Sequence, residues 1–259
     1  MKKVLAYCIF CSTSLVFADV EVLRSADRPQ LTEKPQTVGP GMFQLEGSAL
    51  EYGYEKDGGY KRHNVDVLSL SAKYGLTNVL DIFTSFDVFR HFNPSNLQSK
   101  SGIGDVRLGA EYNIWGNRDY NSALSVVPFV KIPSNTHNYT NDAIEFGVKA
   151  PFTLELKDEF TFGAMIEVDI FEDVADADGY HFELVNSVSI TKPLADPIAM
   201  YVEYYSRNTF EDDMPWASLL GVGAVYATGE KLLLDATMRV GLSEAAEDVR
   251  FIVGGSYRF

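Results

Sequence analysis

Residues 144–156 read IEFGVKAPFTLEL, and every second side chain is apolar. Ile144, Phe146, Val148, Ala150, Phe152, Leu154 and Leu156 share one parity, while Glu145, Gly147, Lys149, Pro151, Thr153 and Glu155 share the other. A helix would spread those charges around its whole cylinder, so a period of 2 means an extended strand. The following segment, FTFGAMIEVDI, repeats the scheme, with Phe160, Phe162, Ala164, Ile166, Val168 and Ile170 opposite Thr161, Glu167 and Asp169. Only Lys157-Asp158-Glu159 lies between them, a hairpin-length connection. Strands of a soluble sandwich are typically about 5 or 6 residues long. These alternate for 11 to 13 residues, which suits the roughly 9 to 11 tilted residues that cross a bilayer.

The same test along the chain predicts twelve strands, near 42–54, 64–74, 80–89, 103–115, 122–132, 143–156, 160–171, 180–191, 197–206, 216–227, 231–241 and 249–259. Connections after the even strands are short. Those after the odd strands are generally longer and rich in charge, Asn and Gly, as in RHFNPSNLQSKSG and PSNTHNYTND. Short turns at one end and long loops at the other are the pattern of an outer-membrane barrel. Lipid offers no water to an exposed strand edge, so such strands survive only as a closed ring. The fold class expected is therefore all-β, a transmembrane antiparallel β-barrel of about twelve strands, with both termini on the periplasmic side. The ending FIVGGSYRF fits as the last strand, pairing with the first.

What precedes the strands is different. Lys2 and Lys3 followed by the apolar run Val4–Phe17 and then Ala18 read as a secretory signal, residues 1–18. Residues 19–41 carry three prolines and no period, and read as a periplasmic lead-in or a plug for the barrel that occupies 42–259. Both cysteines, Cys8 and Cys11, lie in the signal, so no thiol serves the mature chain. Losing Lys2 and Lys3 leaves 20 basic residues against 36 acidic ones, a net charge near −16, which argues against nucleic acid as a partner. The partners expected are outer-membrane lipids and lipopolysaccharide. Aromatic girdles that would anchor the wall have candidates in Tyr74, Tyr112, Phe160, Tyr226, Tyr257 and Phe259 on the short-turn side, and Tyr180, Tyr204 and Trp216 opposite.

A further pattern spans nearly all of the mature chain. It comprises Arg28-Pro29, Thr32, Pro35-Gln36-Thr37-Val38, Pro40-Gly41 and Phe43-Gln44-Leu45-Glu46, then Tyr74-Gly75-Leu76-Thr77, Gly102-Ile103-Gly104-Asp105, Gly241-Leu242 and Tyr257-Arg258-Phe259. Together these resemble the bacterial outer-membrane family labelled "MetA-pathway of phenol degradation", often called transporter-like. Where family members often carry Pro-Thr-Gly, this chain has Pro133-Ser134-Asn135. The resemblance implies an exported barrel of this size and passage of small, often hydrophobic or aromatic, molecules. It implies no catalytic residue. The closing Tyr257 and Phe259 also resemble the signal by which outer-membrane barrels are handed to the barrel assembly machinery.

Function is to be sought on the inward parity, since outward residues answer to lipid. Its acids are Glu46, Asp81, Asp87, Asp105, Glu111, Glu145, Glu155, Glu167, Asp169, Glu183, Glu203 and Asp235, and its bases are Lys73, Arg107, Lys131, Lys149, Arg239, Arg250 and Arg258. Such a lumen is either a narrow, cation-favouring pore for small-molecule solutes or an interior filled by paired side chains. Asp105, Arg107, Glu111 and Lys131 are the first candidates for a paired cluster. An enzyme needs nucleophile, base and orienting group within hydrogen-bond reach. His181 with Glu183, Ser187 and Ser189 comes nearest among the sets that His63, His91, His137 and His181 could anchor, yet any lumen strand offers such a run. No catalytic role, cofactor or metal site is therefore expected. The acidic runs Glu172-Asp173, Asp176–Asp178 and Glu211-Asp212-Asp213 read as solvated loops, with divalent cations held at the lipopolysaccharide surface as the alternative. The function expected is passive transport across the outer membrane, with a non-conducting structural or surface-interaction barrel as the alternative and a barrel hydrolase as a remoter one.

Overall fold

The computed structural model describes residues 25–57, 59–95, 98–117, 121–134, 143–173, 179–210 and 216–259. The expected signal sequence, His137, Asn135 and the acidic runs 176–178 and 211–213 lie outside the described residues. Within them, thirteen strands form one antiparallel sheet: β1 (Phe43–Asp57), β2 (Tyr60–Gly75), β3 (Leu80–Pro94), β4 (Lys100–Gly102), β5 (Val106–Trp115), β6 (Ser122–Ile132), β7 (Glu145–Glu155), β8 (Thr161–Glu172), β9 (Tyr180–Ala195), β10 (Ile198–Thr209), β11 (Ala217–Ala227), β12 (Leu232–Gly241) and β13 (Val249–Arg258). β4 and β5 meet β3 in a single register, with Arg90 opposite Gly102 and Ser85 opposite Arg107, so they are two pieces of one stave. The barrel thus has twelve staves. It closes where β13 lies against β1, from Gln44 opposite Arg258 to Tyr54 opposite Val249.

The alternation that defines the strands also defines the two faces. On β7, Phe146 and Val148 are exposed outward while Glu145 and Lys149 are buried inside. Outward residues such as Ile166, Phe182 and Val202 form the band that lipid covers. Tyr74, Tyr112 and Tyr226 ring its short-turn end, and Tyr180 and Trp216 stand at the other. Short connections follow the sequence pattern, with a single 3-10 turn, Lys157–Glu159, joining β7 to β8. The first two strands run further than the expected bounds 42–54 and 64–74. β1 and β2 continue past residues 54 and 64 to a tight turn at Gly59, with Glu55 opposite Arg62 and an ion pair of 2.9 Å between them. Charges end a strand's membrane band but not its ladder, because water beyond the lipid solvates them.

The inside-outside period slips at one height across neighbouring staves. Ala49 and Leu50 both face out, as do Val67 with Leu68 and Val88 with Phe89. The β1–β13 register shifts between Ser48 and Leu50, and Leu68 adopts φ 57°. The slip on β1 is a β-bulge, an extra residue against β13, and the unshifted pairing of β1 with β2 and of β2 with β3 carries the change of face across both neighbours. Glu51, Asp66 and Arg90 consequently face the lumen, although the parity set below the slips places them outside. There they meet Arg250, whose guanidinium lies 2.9 Å from both Glu51 and Asp66, while Arg90 lies 3.2 Å from Asp66.

Candidate functional site

Proline-rich and without period, residues 25–41 cannot pair as a strand, so their backbone groups need other partners. They find them inside the barrel. The segment turns across the periplasmic half of the lumen and is tied to staves around the whole ring. Arg28 makes a bidentate pair with Asp235 (2.7 and 3.2 Å) and donates to Ser48 at 2.6 Å. Glu46 accepts the backbone N–H of Arg28 at 3.0 Å, and Asp27 pairs with Lys73 at 2.5 Å. The Pro29 carbonyl accepts from Tyr201 and Arg239, at 3.3 and 3.1 Å. Further along, Asn113 donates to the Pro35 carbonyl, Gln36 to Thr153, and the Val38 N–H to Asp81. Ala26 completes an apolar seat with Ala199, Val225, Ala227 and Leu233. Burial pushes the Lys34 ammonium down to about 8 and raises the Glu33 carboxyl, which Lys149 partly offsets.

Glu203 is the clearest single anchor. It is buried and accepts the N–H of Leu31 at 2.9 Å, the N–H of Thr32 at 2.6 Å and the Thr32 hydroxyl at 2.7 Å. Bonds to a charged acceptor contribute about 1.5–3 kcal/mol each. Glu203→Ala should therefore loosen this turn and speed cleavage after Glu33 by a Glu-specific protease at least roughly tenfold. Glu203→Gln, which keeps one acceptor oxygen, should fall between. Equal cleavage rates in all three proteins would show that the turn is held elsewhere.

Fourteen of the nineteen charged residues singled out by inward parity have the following surroundings. Lys73 bridges Asp27 and Glu111, the latter at 3.2 Å. Lys131 pairs with Asp105 at 3.5 Å and with Glu145, while Lys149 pairs with Glu33. Asp235 and Glu203 hold the N-terminal segment, Arg239 binds its Pro29 carbonyl, and Arg258 binds Gln44 and Ser25. Glu167 and Asp169 are buried on β8, and Glu183 accepts from Thr209 at 2.8 Å. Arg107 lies over the Phe129 ring at 5.1 Å. The supposed cluster on β5 is thus divided. Asp105 joins Lys131, but Glu111 turns to Lys73 and Arg107 joins neither. Of the remaining inward acids, Asp87 lies 3.6 Å from Arg90, whereas Glu155 is exposed at the periplasmic mouth.

Parity by charge alone missed the inward aromatics. Phe83, Phe129 and Phe171 share the parity of Asp81, Lys131 and Asp169 and point into the lumen. A glycine stands beside two of them, and its missing side chain is the legible signal. Any Cβ at Gly109 would collide with the Phe83 ring, and one at Gly147 with Phe129. Lys149 also sits over Phe129, at 5.3 Å, and Lys131 over Phe171, at 4.9 Å.

These groups frame two cavities. A vestibule of about 400 Å³ opens toward the long loops, with Lys73, Phe83, Arg90, Arg107, Lys131 and Lys149 on its walls. A lower cavity of about 300 Å³ is bounded by Gln36, Asn117, Glu155, Phe160, Thr191 and Tyr201. Arg28 and Glu33 border both, so the N-terminal segment is the partition between them. The set considered for catalysis does not converge. His181 lies 3.6 Å from Glu183, but Ser187, six residues further along β9, is engaged by Thr32 at 2.9 Å. Among the described residues no group of three His, Cys, Asp or Glu side chains is placed to hold a metal ion.

A ring of long strands, apolar toward lipid and charged around an internal segment, belongs in one setting, and the class so defined is the bacterial outer-membrane β-barrel. The chain is a member of the family described as "Putative MetA-pathway of phenol degradation", whose sequence model matches residues 26–259. Solved structures share the architecture at low identity. An outer membrane channel from Pseudomonas putida F1 is 14% identical with a TM-score of 0.68, over 85% of this chain and 96% of that one. The NanC porin is 12% identical with a TM-score of 0.55, over 82% and 98%. The CymD monoaromatic hydrocarbon channel is 11% identical with a TM-score of 0.50, over 85% and 88%. No curated protein matches the chain.

Proposed function

We propose that the protein is an outer-membrane channel through which small solutes pass passively, with residues 25–38 as a displaceable plug. One observation carries this reading. Arg28 and Glu33 of the N-terminal segment line both the vestibule and the lower cavity, so this segment stands between the two. Ion pairs neutralise most of the fixed charge on the vestibule wall, so shape and the few unspent groups set the solute class more than the acidic excess does. Small hydrophobic or aromatic compounds are the favoured solutes, supported by the family description and by the aromatic rings of the lumen. Lipid and lipopolysaccharide surround the wall, and the barrel assembly machinery inserts it. The role is transport rather than catalysis, since the polar groups are engaged in pairs and plug contacts.

Planar-bilayer recording of the refolded full chain tests the proposal. Small, intermittent conductance steps are expected, together with swelling of liposomes in small neutral solutes. A folded barrel that shows neither current nor solute uptake would be a non-conducting wall, the second reading, which the density of plug contacts favours.

A further inference from the structure

Six cations line the vestibule: Arg28, Lys73, Arg90, Arg107, Lys131 and Lys149. Five of them have a carboxylate within 4 Å. Of the six, Arg107 is the one whose side chain makes neither an ion pair nor a hydrogen bond among the described residues, in a lumen where acids outnumber bases. Asp169, which shares the space over Gly147 with the edge of Phe129, feels the Arg107 charge at longer range without forming an ion pair with it. The guanidinium is nonetheless held in place, because it rests 5.1 Å above the ring of Phe129, itself 5% exposed and packed against Gly147. A guanidinium seated on an aromatic face keeps its planar N–H fork available, and that fork matches a carboxylate in bidentate fashion.

We propose that Arg107 is the docking point for a small organic monocarboxylate in the vestibule, with an aromatic carboxylate as the fitting class. The neighbourhood selects both parts of such a ligand. Phe83, whose ring covers Gly109 two residues along β5 from Arg107, offers an apolar wall to the ligand's body. Asp87, Asp105 and Glu111 line the same cavity but are already paired with Arg90, Lys131 and Lys73, so a single unpaired cation is left, which matches a monoanion rather than an ion of higher negative charge. The proposal rests on the channel reading only in that the ligand arrives through the open mouth of the vestibule. Binding itself needs no conduction.

Equilibrium dialysis of radiolabelled benzoate against the detergent-solubilised full chain tests it, with benzyl alcohol as the neutral analogue and inorganic phosphate as the polyvalent one. Saturable benzoate binding is expected, weakened about tenfold or more by Arg107→Gln. Arg107→Lys, which keeps charge without the fork, should recover part of the loss. Benzyl alcohol binding should be the same in all three, which a merely structural role for Arg107 would not give. Heat-modifiable gel mobility confirms that each variant is a folded barrel. Undiminished benzoate affinity in folded Arg107→Gln, absence of saturable benzoate binding to the unaltered chain, or phosphate bound as tightly as benzoate would each overturn the dock. Loss of conductance with benzoate binding intact would count against the channel alone.

Discussion

A chain lacking Arg28–Val38 should insert as a folded barrel and conduct in steps roughly tenfold larger than the full chain, since twelve staves enclose more space than their side chains fill. The deletion removes Arg28 and Glu33, which line both the vestibule and the lower cavity. It also frees Glu203, Asp235 and Glu46, which accept bonds from that segment and which water can then solvate. The ring itself does not depend on the plug, because every stave is hydrogen-bonded to its neighbours through the backbone. Single-channel recording gives the step size, and heat-modifiable mobility on a gel shows that the barrel is intact. Unchanged steps from an intact barrel would mean that the current bypasses residues 28–38, and the partition would lose its role.

Deleting Phe259 should deplete the protein from the outer membrane while leaving export across the inner membrane and signal processing intact. Phe259 ends the closing seam. Its N–H donates to the Phe43 carbonyl at 2.9 Å, its ring lies 5.3 Å from that of Phe43, and Tyr257 meets it edge-on at 4.8 Å. The side chain points out to the lipid side and is more than half exposed. The truncation therefore removes the last rung between β13 and β1 together with an outward aromatic that the assembly machinery would read. Phe259→Leu keeps the rung and the apolarity, so its deficit isolates the aromatic contribution. Fractionation of cells by density, followed by immunoblotting, measures both variants. Normal outer-membrane levels of the truncated chain would sink the proposed signal.

Much of the wall was legible in the sequence because lipid and water impose opposite demands on alternate residues. Twelve staves and their two faces follow from that demand alone, as β7, β8 and β13 show residue for residue. Legibility failed where the period changes without a change of composition. Ala49–Leu50, Val67–Leu68 and Val88–Phe89 are simply adjacent apolar pairs in the sequence, and only the burial of the residues on either side shows that the strand changes face there. Glu51, Asp66 and Arg90 are absent from the inward set for that reason. The expected strand bounds at 54 and 64 fall short of the hairpin around Gly59 because charged residues interrupt the alternation there, although extended strands tolerate them above the membrane. The lumen was harder still. Its ion pairs join residues far apart in sequence, such as Arg28 with Asp235, and no local pattern encodes such partners.

The plug contacts also impose an order of events. Residues 25–38 take partners from β1 and β2 through β10, β12 and β13, so the pocket that receives them is assembled from the first stave to the last. Until β13 reaches β1 there is no complete pocket to occupy. The segment that precedes every strand in the chain is thus the last to reach its final position, and closure of the wall is the event that lets it settle.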